Sequence, residues 1–147
     1  MSAKGRPERE ARTVGSDRVL PRILVTGASG QLGFELARAL APLGTVIATD
    51  RAQLDFADAD AIVAAMRTHA PRIVVNAAAY TAVDQAERDE ARANAVNATA
   101  PGILADEARR MGALLVRYSA DYLFYGHQAP PYAEDAPTNP LNAYGRS

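Results

Sequence analysis

The sequence predicts an α/β domain in which a doubly wound parallel sheet carries helices on both faces. Short, unbroken apolar runs alternate with longer stretches whose apolar residues recur at helical spacing. Runs without polar alternation are typical of strands that are buried on both faces of a parallel sheet. Strands and helices that alternate in this way imply right-handed crossovers and a single sheet.

The first strand, the first turn and the first helix follow one another directly. The apolar run Ile23–Val25 predicts a strand that ends at Gly27. The stretch Gln31–Ala41 is predicted to be a helix because its apolar residues share one face, and Pro42 with Gly44 ends it. A strand, a turn that contains glycine and a helix thus follow one another, as in a βα unit of a parallel sheet.

The next elements repeat this alternation. Thr45–Thr49 predicts a second strand that ends at Asp50, and Asp58–His69 predicts a second helix. A third strand begins with Ile73–Val75, after Pro71.

The last part of the chain is less regular. A largely helical region is expected from Asp84 to Met111, with a break or kink near Pro101. Leu114–Ser119 predicts the last clear strand. From Ala129 onward, four prolines predict a long loop without a central strand or helix.

Composition limits the classes of function. The 147 residues carry 16 basic and 17 acidic side chains, so a net charge of -1 gives no field that favours nucleic acid or an anionic membrane. The chain has no cysteine, and its two histidines, His69 and His127, are far apart, so we expect no disulfide and no metal site.

The N-terminal segment differs in composition from the rest of the chain. Residues 1–21 mix basic and acidic side chains without a hydrophobic period, which predicts a disordered extension before a domain at 22–147. A transit peptide is the alternative, but such segments are poor in acids. Without an apolar run for a signal peptide or a membrane span, we expect a cytoplasmic protein.

The turn after the first strand predicts a phosphate site. Its glycines are Gly27, Gly30 and Gly33, three residues apart between a strand and a helix. The first glycine can take the tight turn, the second lets the backbone approach a pyrophosphate, and the third permits close helix packing. The free amides of the helix would then meet the phosphates, which indicates a Rossmann-type dinucleotide site.

Two residues at the end of the second strand bear on the choice of dinucleotide. Asp50 follows Gly27 at about the distance of an acid that binds the adenosine ribose, which favours NADH. Arg51 could instead pair with the 2′-phosphate of NADPH. The sequence leaves both cofactors open.

Four strings, in order, carry a resemblance to a known family. They are TGASGQLG at 26–33, NAAAYTAVDQAE at 76–87, SADYLFYG at 119–126, and PYAED followed by NPLNAYG up to Gly145. With its G-x-x-G-x-x-G spacing, the chain resembles the dTDP-4-dehydrorhamnose reductase family of extended short-chain dehydrogenases/reductases from about residue 22 to its end. The resemblance implies a nucleotide-sugar substrate whose C4 ketone is reduced by NADPH or NADH, in cell-envelope polysaccharide synthesis.

The resemblance also implies roles for individual residues. The cofactor would be held by the residues Gly27, Gly30, Gln31, Leu32, Gly33, Asp50, Arg51, Asp55, Ala77, Ala78 and Ala79. The substrate side would include Tyr80, Thr81, Asp84, Ser119, Asp121 and Tyr122. Tyr144 falls on the catalytic tyrosine, which delivers a proton to the alkoxide formed by hydride transfer.

Two departures from the family pattern predict impaired activity. The family places a lysine four residues after the tyrosine, which here would be residue 148, beyond Ser147. Ala120 stands where the family has a Thr or Ser hydroxyl that binds the substrate carbonyl. Ser119 is adjacent, but neighbours on a strand point to opposite faces, so it would replace that hydroxyl only if the backbone bulges.

The chain is therefore expected to be a reductase domain that is incomplete at its C-terminal side, with most of the substrate domain absent. A sheet face left uncovered would favour self-association, which keeps a homo-oligomer open. Two other interpretations remain. One is a non-catalytic module that resembles the regulatory subunit of methionine adenosyltransferase, and the other is a different nucleotide-sugar reductase or epimerase.

Overall fold

A computed structural model describes residues 19–126 and 131–147. The strands are β1 (Arg22–Thr26), β2 (Thr45–Thr49), β3 (Ile73–Asn76) and β4 (Leu114–Arg117). The α-helices are α1 (Gln31–Leu40), α2 (Ala59–His69), α3 (Val83–Ala86), α4 (Glu90–Asn94), α5 (Ala100–Met111) and α6 (Ala143–Arg146). Short 3₁₀ turns lie at Ala41–Leu43 and Asp121–Leu123, and a π-helical turn lies at Ala95–Thr99.

All four strands are parallel and lie in the order β2-β1-β3-β4. The chain therefore moves to one side of β1 for β2 and to the other side for β3. In an open α/β sheet, the point where the strand order reverses leaves a crevice at the carboxyl ends of the strands. Here that crevice lies beyond Thr26 and Asn76, which are partners in the register of β1 and β3. The predicted doubly wound parallel sheet is confirmed.

Each face of the sheet has its own apolar cluster. On one face, Leu24 and Val74 pack with Ile62 and Met66 of α2 and Leu104 of α5. On the other face, Ile23, Val25 and Val75 pack with partly buried Leu36 and Leu40 of α1. The fully buried side chains of β1 alternate between the two clusters, because neighbouring residues on a strand point to opposite faces.

A buried carboxylate joins the two helices of the first face. Glu107 of α5 is 2% exposed, accepts a 3.4 Å hydrogen bond from Arg67 Nε of α2 and forms an ion pair with Arg110. The hydrogen bond from Arg67 and the positive charges of both arginines hold the pKa of Glu107 below its ordinary value, against the opposing effect of burial.

The helical region between β3 and β4 is irregular at a position that the chemistry of proline explains. Pro101 is the second residue of α5 and has no N–H, so the carbonyl of Asn97, four residues earlier, lacks its α-helical donor. The π-helical turn Ala95–Thr99 lies at this point. Arg117 Nη2 from the end of β4 donates to the Asn97 carbonyl at 2.8 Å and satisfies it. The break predicted near Pro101 thus takes this form.

Three boundaries differ from the sequence prediction. The strand expected to reach Ser119 ends at Arg117, and the helix expected to reach Ala41 gives way to a 3₁₀ turn after Leu40. The proline-rich stretch was expected to lack a helix, yet α6 lies near its end. Asn142 begins this helix by accepting a 2.7 Å hydrogen bond from Gly145 N, which the sequence prediction overlooked.

Part of the sequence prediction falls outside the described residues. Of the expected N-terminal extension, residues 1–18 lie there, and so does His127. Within the described ranges, none of the helices is long and apolar enough to cross a membrane. In the same part of the chain, we find no group of three acidic or histidine side chains that could hold a metal ion.

Candidate functional site

The turn after β1 brings three backbone segments into contact. Gly27 has φ of +69°, a conformation that L side chains rarely adopt. A Cβ atom at Gly27 would lie 2.7 Å from Ala78 N and 2.8 Å from the Ala77 carbonyl carbon. The turn therefore packs against the backbone that follows β3, and only glycine satisfies both demands.

Gly33 brings α1 against the same turn. A Cβ atom there would lie 2.7 Å from the carbonyl carbon of Gly27 and 2.9 Å from Cα of Ala28, with the Gly27 carbonyl oxygen closer still. This glycine is buried against the turn. The close packing expected of the third glycine is confirmed.

The start of α1 presents donors that the helix does not use. Phe34 N donates the first helical hydrogen bond to the Gly30 carbonyl at 2.9 Å, so the amides of Gln31 and Leu32 precede the first turn of bonds. Gly30 itself is exposed, and its absent side chain leaves space in front of these amides. Such amides, at the positive end of a helix, favour an anion.

The two aspartates at the other end of the crevice are held by local hydrogen bonds. Asp50 Oδ1 accepts from Ala52 N at 2.9 Å and from Gln53 N at 3.2 Å, so one carboxylate oxygen closes the turn after β2. Asp55 Oδ1 accepts from Ala57 N at 3.0 Å, and its other oxygen lies 3.8 Å from Arg92 Nη2. Arg51 has no ion-pair partner among the described residues.

Asn76 shapes the segment that follows β3. Its Oδ1 accepts from the Thr26 hydroxyl at 2.7 Å and from Ala78 N at 3.1 Å. Thr26 and Asn76 are both buried at the ends of β1 and β3. The bond therefore fixes the switch point of the sheet, and with it the distance between the glycine turn and Ala77–Ala79.

Asn97, in the π-helical turn, connects that segment to the end of the chain. Its Oδ1 accepts from Tyr80 N at 2.8 Å, and its Nδ2 donates to the Tyr80 carbonyl at 3.1 Å. The same Nδ2 lies 2.9 Å from the Ser147 hydroxyl. One amide group thus holds both backbone polar groups of Tyr80 and the residue after α6.

Tyr144 lies on the short helix α6, close to a second tyrosine. The ring of Tyr122 meets that of Tyr144 edge to face, with centroids 5.3 Å apart. Tyr144 also packs against the buried alanines Ala86, Ala93 and Ala143. These contacts bring a residue close to the C-terminal end of the sequence to the carboxyl edge of the sheet.

These segments enclose a cavity of about 700 Å³, a volume typical of small-molecule and cofactor sites. It contains most of the residues predicted from the sequence: Gly27, Gly30, Gln31, Leu32, Asp50, Arg51, Asp55, Ala77, Ala78, Ala79, Tyr80, Thr81, Ser119 and Tyr144. Four predicted residues, Gly33, Asp84, Asp121 and Tyr122, lie outside its lining. Gly33 and Tyr122 support lining residues, whereas Asp84 and Asp121 are exposed.

Ser119 and Ala120 lie side by side in the cavity wall. The expectation that they face opposite ways rested on a strand through Ser119, but β4 ends at Arg117, two residues earlier. The alternation of a strand therefore does not apply to this pair.

Five of the lining residues missed by sequence reasoning come from two kinds of position. Arg92, Val96 and Asn97 lie on helical segments whose side toward the crevice depends on the π-helical turn. Arg117 and Arg146 were missed because the ends of β4 and α6 were misplaced or absent in the prediction. The signal for Asn97 was present in part, since it lies four residues before Pro101.

The cavity wall is richer in positive than in negative side chains. Four arginines line it, Arg51, Arg92, Arg117 and Arg146, against the two aspartates Asp50 and Asp55. Arg92 pairs with Asp55, and Arg146 pairs with Glu90 at 3.4 Å. Within the described ranges, Arg51 and Arg117 have no acidic partner, so the wall suits an anionic ligand.

A family profile described as the RmlD substrate binding domain matches residues 21–147. The chain belongs to this family. It is 51% identical over 126 residues to the dTDP-4-dehydrorhamnose reductase of Burkholderia thailandensis, covering 86% of this chain and 42% of that protein. It is 52% identical over 130 residues to a probable dTDP-4,6-dihydroxy-2-methyloxan-3-one 4-ketoreductase of Streptomyces antibioticus, covering 86% and 43%.

A solved structure shares the fold as well as the sequence pattern. The dTDP-4-dehydrorhamnose reductase of Bacillus anthracis, determined in complex with NADP, superposes with a TM-score of 0.83 and 34% identity over 89% of this chain and 47% of that one. This member of the RmlD family therefore spans less than half the length of the relatives that it matches. The family resemblance inferred from the four strings is confirmed.

Proposed function

We propose that the chain binds NADPH or NADH in this cavity and forms part of a reductase that acts on the C4 ketone of a dTDP-linked deoxysugar. The names of two relatives support this chemistry, since one is a dTDP-4-dehydrorhamnose reductase and the other a probable 4-ketoreductase. Reduction of dTDP-4-dehydrorhamnose to dTDP-rhamnose is the reaction that we favour, in a cytoplasmic enzyme. The two names give different sugars, and what they share is reduction of a 4-keto group.

One observation carries the proposal: a single cavity contains both the glycine turn and Tyr144. The turn offers unused amides and a space without side chains, which fits the pyrophosphate of a dinucleotide. Tyr144, which also lines the cavity, would supply the hydroxyl of the reaction. A dinucleotide held at the turn would extend toward this hydroxyl, and so would a ketone placed beside its nicotinamide.

The roles of the protein residues follow from this arrangement. The amides of Gln31 and Leu32 would hold the phosphates, while Ala77–Ala79 would border the cofactor along β3. The bound nicotinamide supplies a hydride when it is reduced. Tyr144 would donate a proton to the developing alkoxide, and the Ser119 hydroxyl would donate a hydrogen bond to the same oxygen.

Ala120 lowers the activity that we expect. A residue without a donor at this position costs about 10²–10³ in rate where one hydrogen bond to the oxyanion is lost. Ser119 lines the cavity beside Ala120 and would be the replacement. We therefore expect this chain to bind the nicotinamide cofactor more readily than it turns over the sugar nucleotide.

The test is a calorimetric titration of the 147-residue chain with NADPH and with NADH. Gly30→Ala is the informative variant, because its φ of -81° suits alanine and a Cβ atom there makes one tight contact, at 3.3 Å to the Gly27 carbonyl oxygen, which a shift of a few tenths of an ångström would relieve. Its methyl group would occupy the space for the phosphates. Losing one charge-assisted hydrogen bond, about 1.5–3 kcal/mol, would raise Kd roughly 10- to 150-fold.

Gly102→Ala is the matched control, since a Cβ atom there contacts nothing within 4 Å and the site lies in α5, outside the cavity lining. It should leave Kd unchanged. If folded wild-type chain gives no heat with either nucleotide, or if both variants bind as the wild type does, the proposed phosphate site is wrong. The titration needs no sugar nucleotide, so it tests cofactor binding separately from turnover.

A further inference from the structure

The helix that carries Tyr144 has only four residues, and its place in the fold depends on contacts with distant parts of the chain. It contacts α3, α4 and the 3₁₀ turn Asp121–Leu123. A helix of this length is not stable alone, because forming its first turn fixes several residues for one hydrogen bond. Its neighbours therefore determine where the tyrosine hydroxyl lies.

The first amide of this helix is buried and bonded to a distant carboxylate. Ala143 is fully buried, so its N–H cannot rely on water for a partner. Glu87 Oε1, 56 residues earlier in the chain, accepts from Ala143 N at 2.7 Å. A charged acceptor makes this a strong hydrogen bond, and it joins the backbone next to Tyr144 to the end of α3.

Apolar packing around this hydrogen bond sets the distance between the helices. Ala86, Ala93 and Ala143 are each fully buried and meet through their methyl groups, so the three helices approach closely. Methyl contacts of this kind set a distance but allow sliding, whereas a hydrogen bond to a backbone amide fixes the register. Glu87 supplies that fixed point beside the apolar contact.

The contacts that two other distant residues, Glu90 and Asn97, make with this region hold side chains. Glu90 pairs with the Arg146 guanidinium at 3.4 Å in an exposed position, and Asn97 bonds the Ser147 hydroxyl. Exposed ion pairs contribute little, because solvent screens them and the side chains lose freedom. Glu87 is also exposed, but its carboxylate accepts from a buried main-chain amide of α6.

We propose that Glu87 is a positioning residue for Tyr144: its carboxylate fixes the first amide of α6 and so holds the tyrosine ring in the cavity wall, against Tyr122. The catalytic importance of this position of Tyr144 rests on the proposed function. The role of Glu87 in holding the ring there can be tested without it. Glu87 does not line the cavity and contacts no reacting group. Its effect is therefore exerted through the backbone of Ala143.

The experiment is nuclear magnetic resonance on the 147-residue chain, with the two ring signals assigned by Tyr122→Phe and Tyr144→Phe. The edge-to-face pair, with centroids 5.3 Å apart, should give cross-relaxation peaks between the rings in the wild type. Glu87→Ala should lose these peaks while the sheet amides keep their shifts. Glu87→Gln keeps an acceptor oxygen and should retain the peaks, and Glu90→Ala is the control for removing a nearby negative charge.

Three results would overturn the proposal. The inter-ring peaks could persist in Glu87→Ala, they could vanish in Glu87→Gln as well, or Glu87→Ala could lose the sheet signals together with the peaks, which would make Glu87 a residue of general stability. NADPH added to the wild type separates this from the proposed function. If the amides of the glycine turn do not respond, the cofactor proposal fails while the ring contact still decides the role of Glu87.

Discussion

The same substitution at two equivalent helix positions should change stability in opposite directions. Gly33 and Gly102 are the third residues of α1 and α5. Alanine is favoured over glycine inside a helix by about 1 kcal/mol, so Gly102→Ala should raise the unfolding free energy by up to about that amount. Nothing lies within 4 Å of the added methyl group.

At Gly33, the added methyl group meets backbone that cannot rotate away. The three nearest atoms are two backbone atoms of Gly27, at 2.7 Å or less, and Cα of Ala28, at 2.9 Å. Overpacking costs roughly 1–3 kcal/mol, and rigid backbone neighbours favour the upper end. Since alanine gains about 1 kcal/mol in helix propensity, Gly33→Ala should lower the unfolding free energy by about 2 kcal/mol in total.

Urea unfolding followed by circular dichroism measures this difference. With a slope of about 2 kcal/mol per molar urea, the Gly33→Ala midpoint should fall by about 1 M and the Gly102→Ala midpoint should rise by up to about 0.5 M. If Gly33→Ala unfolds at or above the wild-type midpoint, then α1 can move away from the turn. The close packing of helix and turn would then not be the reason for glycine.

Three other variants test two features away from the cavity. The lowered pKa of Glu107 stabilises the fold above its unfolded value of 4.5, and this contribution should disappear as pH falls through the lower folded pKa. The stability gap between wild type and Glu107→Gln, measured in urea from about pH 7 to 2, should therefore close at acid pH, and a constant gap would contradict the ion pair. Ala70 has φ of 41°, so Ala70→Gly should raise the unfolding free energy by about 1 kcal/mol. Ala64→Gly, at an exposed position of α2, should lower it by about as much. Thermal melts that shift both variants in the same direction would refute the strain.

The parallel sheet could be predicted from sequence because its signals are local. The apolar runs of β1, β2 and β3 were recognised near their observed bounds, and the glycine turn was placed between a strand and a helix. The end of β4 was misjudged because Tyr118 and Ser119 continue a pattern compatible with a strand. The strand ends where the chain turns into the cavity wall at Tyr118, and no local sequence pattern predicts that turn.

The tyrosine side of the site could not be derived from sequence by periodicity. The prolines of this stretch, Pro137 and Pro140 among them, led to the prediction of a loop without the helix α6, and only the resemblance indicated Tyr144. The helix around it forms because Asn142 caps it and Glu87 satisfies its first amide. Glu87 and Ala143 are 56 residues apart, so their pairing is a property of the tertiary structure.

The excess of arginine in the cavity wall has a kinetic consequence. The chain as a whole carries a net charge of -1, yet Arg51 and Arg117 face the crevice without acidic partners among the described residues. A dianionic molecule would be drawn toward this mouth by the local field before any contact forms, although the protein as a whole does not attract it. Salt within the physiological range, with a screening length of about 8 Å, would slow the encounter and leave the short contacts of the bound state less affected.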